Sequence, residues 1–403
     1  MRIYQGYPIA LIAFLSTGLT IGASQYAFGE FVTPLQNEFG WTQTQLNLSM
    51  TFAVLSGLSA PFIGNIADRW GVRIVMLCSL LSISAGFLLR TFMTGLWLWY
   101  FTSALIYLGF HGATILSSGK LVGNWFPVNR GKMMGLVTSG NNVGGLLMPP
   151  FAVILISKWD WRFGYFGFGI IIFFLLLFVV FIIKEKPQQT DTSVKKDSTP
   201  SHSHNVLEQL TLKQILRTKK FWYILVGLTG ATFTYQGILT QLRQHFEENG
   251  FPPQTATLGL AVIATLGIAS KLFFGRLSEL WSARSAIIIS LGFQTIGAII
   301  FAFARSNLEM WLGIISFGIG FGGLGALIAL VIQEAFGLMK FGTLIGLVHA
   351  AGIISMGGAP VLAGWIHDKN GEFDQVFIII AFIFILSMIC FLIARGKEIS
   401  EEL

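Results

Sequence analysis

In the stretch GNIADRWGVR, Gly64 to Arg73, an aspartate and two arginines, Asp68, Arg69 and Arg73, crowd together around Gly71. A carboxylate in such company pairs with a guanidinium or caps the N-terminus of a helix. The pattern returns 211 positions later as GRLSELWSAR, Gly275 to Arg284, with Glu279 as the acid. Glycine opens both stretches, the acid is fifth, tryptophan seventh and arginine last. A second set of groups lies within apolar runs: Lys271, Lys120, Glu30, His111 and His349. Charge is costly inside a span, and residues that carry it usually face a polar cavity. Lys271 suits a carboxylate ligand, Glu30 can take up a proton, pair with Lys271 or Arg243, or stand as an interfacial acid near the outer mouth, and both histidines can change charge near neutral pH. For Lys120, close to the end of its run, snorkelling to the interface is the favoured reading. Gln25, Tyr26, Asn141, Asn142, Tyr235 and Gln236 add hydrogen-bonding groups without fixed charge. Such groups recognise a carboxylate or hydroxyl, and they equally bind helices to each other.

These residues sit in a chain of 403 residues that is 54% hydrophobic and 11% charged, against about a quarter charged in soluble domains. That balance predicts an integral membrane protein, and its net charge of +7 does not point to nucleic acid. Runs of about 20 apolar residues place spans near 8–34, 47–66, 73–93, 96–122, 133–157, 162–183, 221–245, 254–275, 284–305, 308–334, 342–366 and 375–395. All are expected to be α-helices, because a span must satisfy its backbone internally. The first apolar run is too long for a signal peptide. Residues 184–220 interrupt the series with a polar, Pro/Ser/Thr-rich linker and a short surface helix, Leu207 to Arg217. His202 and His204 in it read as solvated linker residues, and Cys78 and Cys390 as unpaired. With both termini inside, the inner segments hold 19 of the 26 Lys and Arg and the outer segments six. This bias puts the termini and linker in the cytoplasm.

The shift of 211 holds well beyond the charged stretch. It carries Gln25 onto Gln236, Gly109 onto Gly320, Gly112 onto Gly323, Gly131 onto Gly342 and Pro149 onto Pro360. The chain is therefore read as a duplication: an N-terminal bundle, 1–183, the linker, 184–220, and a C-terminal bundle, 221–403. Six spans per half is an even number, so the halves are parallel repeats about an axis along the membrane normal. The fold class expected is an all-α membrane protein of twelve transmembrane helices in two six-helix bundles, with the solute path between them.

With these features together, the chain resembles the major facilitator superfamily. The resemblance covers essentially the whole chain. Its most specific piece is G-x-x-x-D-R-x-G-x-R, here Gly64, Asp68, Arg69, Gly71 and Arg73; the second copy is eroded, with Leu280 and Ser282 in place of the arginine and second glycine. The resemblance implies a cytoplasmic clasp in which Asp68 and its basic neighbours hold an adjacent helix end. Gly64, Asp68, Arg69, Arg73, Glu279 and Arg284 are accordingly assigned to gating. Within the superfamily the chain is similar to monocarboxylate porters and oxalate/formate exchangers, through GNWFPVNRGKMMGLVTSGNNVGG, Gly123 to Gly145, and YAFGEFVTPLQNE, Tyr26 to Glu38. It departs from them in Glu30, where some porters have lysine, in Lys271, where they have arginine, and in Gly267, where they have aspartate. His349 lies near the position of the exchangers' lysine.

The expected activity is secondary transport by alternating access, with a small organic anion as substrate, a monocarboxylate in the first instance, and proton symport. The alternatives are a zwitterion or drug-like solute read by Glu30, and a non-transporting sensor. Substrate binding is assigned to Lys271, Tyr26, Gln25, Asn141, Asn142, Tyr235, Gln236 and His349, and proton coupling to Glu30 and His111. The G-x-G-x-x-G match at Gly318 to Gly323 lies in an apolar helix and not after a strand, so it reads as helix packing. No catalytic residue, cofactor or metal is expected. The protein is expected as a monomer in the inner membrane, with partners limited to the solute, protons and lipid.

Overall fold

The computed structural model describes residues 4–184, 211–239, 241–370 and 372–394. His202, His204 and most of the linker lie outside the described residues. The chain divides into two compact units. Unit 1 is Met1–Thr199 with Leu338–Ala350, and unit 2 is Pro200–Gly337 with Ala351–Leu403.

Unit 1 holds α1 (Gly6–Ile21), α2 (Phe28–Phe39), α3 (Ala53–Trp70), α4 (Val72–Arg90), α5 (Leu96–Ala113), α6 (Ile115–Trp125), α7 (Arg130–Lys158) and α8 (Trp161–Ile182). Unit 2 holds α9 (Leu212–Arg217), α10 (Lys219–Ala231), α11 (Leu242–Glu248), α12 (Pro253–Leu280), α13 (Ala283–Phe303), α14 (Asn307–Phe321) and α15 (Gly323–Phe336). It also holds α17 (Ile353–Asn370) and α18 (Asp374–Ile393), while α16 (Phe341–Ala351) belongs to unit 1 as far as Ala350.

Among the described residues, nine stretches are long and apolar enough to cross a membrane. They account for every expected span except the fourth, seventh and eleventh. Those three are present as interrupted helices, α5–α6, α10–α11 and α16–α17. The fold is thus the expected twelve-helix membrane architecture, with breaks that hydropathy does not register. At the first break, Thr114 leaves helical geometry at φ −116° and ψ −122°. Hydroxyls take up the carbonyls freed there: Thr114 Oγ1 donates to Phe110 O at 2.7 Å and Ser117 Oγ to Gly112 O at 2.5 Å. In a span no water can do this, so side chains must.

Two spans contain a π-helical turn, Gly22–Tyr26 in the first and Thr234–Leu239 in the seventh. The 211-residue shift carries the first to within about a residue or two of the second. Wide turns of this kind cost backbone hydrogen-bond geometry and concentrate at functional sites.

Polar residues set the helix ends. Asp160 accepts from Trp161 N at 2.6 Å and starts α8. Ser306 and Glu309 form a capping box at α14. Gly71, at φ +99°, makes the turn from α3 to α4 that an L side chain resists. Of the expected surface helix, residues 207–210 lie outside the described residues, and Leu212–Arg217 is helical from a Thr211–Gln214 capping box. Aromatic rings fill the interior of unit 1, with Phe31 stacked on Tyr165 at 3.9 Å and both rings within about 6 Å of Phe168 or Phe87.

Candidate functional site

Asp68 closes α3 against the start of α16. Its side chain is 2% exposed. Oδ1 accepts from Gly342 N at 2.9 Å and from Lys120 Nζ at 2.8 Å. Oδ2 accepts from Thr343 N and Thr343 Oγ1, each at 2.8 Å. The first amides of a helix have no partner within it, and they carry the positive end of its dipole, so a carboxylate fits there. Glycine makes the approach possible: a Cβ at Gly64 would collide with the Gly342 carbonyl, and one at Gly346 with the Ala60 carbonyl. Lys120 does not snorkel. It also donates to Ala67 O at 2.8 Å, because a buried acid lies within its reach. Arg69 is exposed, and Arg73 donates to Val180 O at 2.5 Å.

The eroded copy in unit 2 is built differently. Glu279 pairs with Arg276 of its own helix at 2.7 Å, and Arg284 is half-buried. The carboxylate that caps a helix start there is Glu334 of α15, which accepts from Ala283 N at 2.6 Å. Sequence spacing carries no sign of Glu334, since its partner lies 51 residues away.

A layer of buried polar groups crosses unit 1 at one depth. α1 and α7 interlock through Gly18-xxx-Gly22 and Gly140-xxx-Gly144, where a Cβ at Gly18 would strike Gly140 O and one at Gly144 would strike Gly18 O. α1 meets the fourth span where Ser16 Oγ donates to Ala113 O at 2.5 Å and Thr17 Oγ1 lies 3.1 Å from Ser118 Oγ. These registers put Thr20, His111 and Asn141 at similar height. His349 of α16 joins them by stacking on His111, with ring centroids 4.2 Å apart and planes 29° apart. Thr20 Oγ1, His111 Nδ1, Asn141 Oδ1 and His349 Nε2 are all buried with no hydrogen-bond partner among the described residues. Such orphans are rare unless a water or solute meets them.

The remaining assigned residues of unit 1 lie nearby in sequence. Gln25 and Tyr26 occupy the π turn and are exposed, and a Cβ at Gly145 would lie 3.0 Å from the Tyr26 ring. Asn142 is half-buried, and Glu30 is exposed in the first turn of α2.

In unit 2, Lys271 is 5% exposed on α12. One turn earlier, Gly267 lies so close to Gly322 that a Cβ on Gly322 would collide with its carbonyl. Ser270 Oγ donates to Ile319 O at 2.5 Å in the same crossing. Tyr235 and Gln236 fall in the second π turn, but their side chains lie outside the described residues. Thr234 Oγ1 beside them donates to buried Gln294 at 2.5 Å. Gln294 escaped sequence analysis because it is neutral and lies in an ordinary apolar span.

Arg90 also differs from expectation. It is one of the six Lys and Arg counted in the outer segments, yet it is 6% exposed. Its guanidinium lies 4.1 Å from the Trp99 ring centroid and 5.0 Å from that of Tyr165, and it donates to Ser103 Oγ at 2.7 Å. Aromatic faces and hydroxyls take the place of water around the charge.

The twelve-span architecture has a counterpart among known proteins. The family model for the Major Facilitator Superfamily matches residues 10–339 and 244–402. The chain belongs to the Major Facilitator Superfamily. It is 25% identical to the uncharacterized transporter YybO of Bacillus subtilis (strain 168), over 90% of this chain and 88% of that one. It is 24% identical to monocarboxylate transporter 3 of Rattus norvegicus, over 92% of this chain and 76% of that one. Its fold is similar to that of the proton:xylose symporter XylE, with a TM-score of 0.76 over 98% of this chain and 96% of that one, at 14% identity. As a superfamily member it is a multi-pass membrane transporter and not an enzyme. Its similarity to the monocarboxylate group agrees with the motifs in Tyr26 to Glu38 and Gly123 to Gly145.

Proposed function

We propose that this transporter moves a small organic anion, a monocarboxylate, together with a proton, by alternating access. The observation that carries the reading is the set of buried, unpartnered polar atoms on Thr20, His111, Asn141 and His349. The Thr20 hydroxyl can donate to a carboxylate oxygen, as can an imidazole nitrogen that carries a hydrogen; the Asn141 amide oxygen can accept from a solute hydroxyl or a protonated imidazole, and a stacked histidine pair can hold a single proton beside it. Lys271, buried in unit 2, is the cation assigned to the anion. Glu30 and His111 are assigned to the proton, Gln25, Tyr26, Asn142, Tyr235 and Gln236 to the solute, and the Asp68 cluster to the inner gate. The protein is read as a monomer of the inner membrane with both termini cytoplasmic, and its two repeats, 1–183 and 221–403, as the halves that move. Similarity to a named monocarboxylate transporter supports the substrate class.

Uptake of labelled lactate into proteoliposomes under an imposed proton gradient tests this. Lys271→Ala is expected to abolish uptake at unchanged membrane expression. Unchanged uptake removes Lys271 from the site. Thermal stabilisation by betaines but not by lactate-like acids overturns the anion assignment in favour of a zwitterion at Glu30.

A further inference from the structure

His245 lies near the end of the seventh span, on α11, and is 1% exposed. Its Nε2 is 2.8 Å from Phe301 O at the end of α13. A carbonyl only accepts, so Nε2 carries the hydrogen and the neutral ring leaves Nδ1 bare. Nδ1 faces two groups. Asn249 Nδ2, at 3.3 Å, donates to it, and Asp374 Oδ1, at 3.6 Å, begins the twelfth span. Asp374 Oδ2 accepts from Arg305 at 2.5 Å, while Oδ1 is buried with no hydrogen-bond partner among the described residues. A bare imidazole nitrogen thus sits across a short gap from an unsatisfied carboxylate oxygen. One proton satisfies both.

Other charges lie near the ring among the described residues. Arg305 N donates to Glu309 at 2.8 Å. Glu248 is one turn along α11 and lies 3.0 Å from His367 Nε2. Glu247, beside it, is exposed. Phe377 stands edge-on to the His245 ring at 4.5 Å. Burial opposes the charge, and the carboxylate offsets it.

The equivalent place in unit 1 shows what the proton adds. Glu38, at the end of the first span, pairs with Arg162 at the start of the sixth at 2.5 Å and accepts from Trp161 Nε1 at 2.5 Å. The 211-residue shift carries these positions to 249 and 373, one turn from His245 and one residue from Asp374. In unit 1 the base is an arginine, charged at every working pH. In unit 2 the base is a histidine and acid and base have exchanged helices.

We propose that His245 Nδ1 is a proton-binding site whose occupancy locks the ends of the seventh, ninth and twelfth spans together. The proton comes from bulk water, outside in the proposed orientation, and adds to Nδ1 while Nε2–H stays on Phe301 O. Nδ1–H then donates to Asp374 Oδ1, and Asn249 is released. Acid on that side clasps the three ends, whatever solute is carried.

The test needs no substrate, so its failure is separate from that of the transport reading. Melting temperatures of the purified protein, His245→Gln, Asp374→Asn and the double variant are compared at about pH 8.5 and about pH 5, either side of the imidazole range. The two changes are expected to add at high pH and to depart from additivity by about 2 to 4 °C at low pH. Equal additivity at both overturns the proposal. Should a variant fail to fold, hydrogen exchange at the His245 ring carbon, read by peptide mass spectrometry in the unaltered protein, follows the proton directly. A ring that titrates across that range upholds the site, and a ring still neutral at the acid end overturns it.

Discussion

Replacing Asp68 with asparagine keeps shape and removes charge. The wild-type carboxylate accepts four hydrogen bonds, from Gly342 N, Lys120 Nζ, Thr343 N and Thr343 Oγ1, all between 2.8 and 2.9 Å. An amide retains one oxygen and can serve only one of these pairs. If the oxygen stays on Gly342 and Lys120, the new NH2 group opposes the Thr343 amide, donor against donor. If it turns, Lys120 faces a donor instead. Lys120 is 12% exposed and cannot recover full hydration. Stranding one member of a buried pair costs about 3 to 5 kcal/mol. A smaller loss of about 1.5 to 3 kcal/mol follows if Lys120 swings to water and only hydrogen bonds to the charge are lost. The larger figure is expected because Lys120 is also held by Ala67 O at 2.8 Å. In melting temperature it corresponds to at least about 6 °C for a unit of this size. Adding Lys120→Gln removes the stranded charge, so the double variant is expected to melt above Asp68→Asn alone. A single variant within about 1 °C of wild type, or strictly additive changes, would refute the reasoning.

Two further outcomes follow from packing and charge. Gly144→Val drives a side chain into the Gly18 carbonyl in a contact with no flexible neighbour to yield, and a loss of about 1 to 3 kcal/mol or failure to fold is expected by thermal melting, whereas Gly95→Ala, with open space around it, serves as the control. The Arg162 hydrogen bond, opposed by desolvation and aided by Trp161, holds the Glu38 carboxyl below the usual carboxylate range. Its contribution is complete above the unfolded carboxyl's range and is lost as pH falls through the lower folded value, so Glu38→Gln should flatten the acid limb of a stability profile between about pH 5 and 3; the pair is well exposed, and a small effect is expected.

The twelve spans were legible because lipid demands long apolar helices, and Asp68 was legible because its spacing survives in a duplicated stretch. What escaped was set by tertiary partners. Neither Thr114 nor Gly352 interrupts an apolar run, so the breaks in the fourth and eleventh spans left no trace in hydropathy. His111 and His349 were singled out separately, but their stacking joins the fourth span to the eleventh, and the internal repeat pairs neither residue with the other. Arg90 stands near the outer end of an apolar run, which by sequence is a place for a solvated cation; Trp99 and Tyr165, far apart in sequence, turn that end into an interior. Glu334 and Gln294 carry no pattern at all.

The wide turn at Gly22–Tyr26 acts as a spacer washer in the first span. It takes up one more residue than a regular turn with little added length, so everything beyond it is rotated by roughly 100° relative to an uninterrupted helix. Phe31, beyond the offset, meets the flat face of Tyr165 at 3.9 Å. Since the seventh span carries its own washer at nearly the same place, each half of the chain has a swivel built into its leading helix, upstream of the segment that carries its charged end.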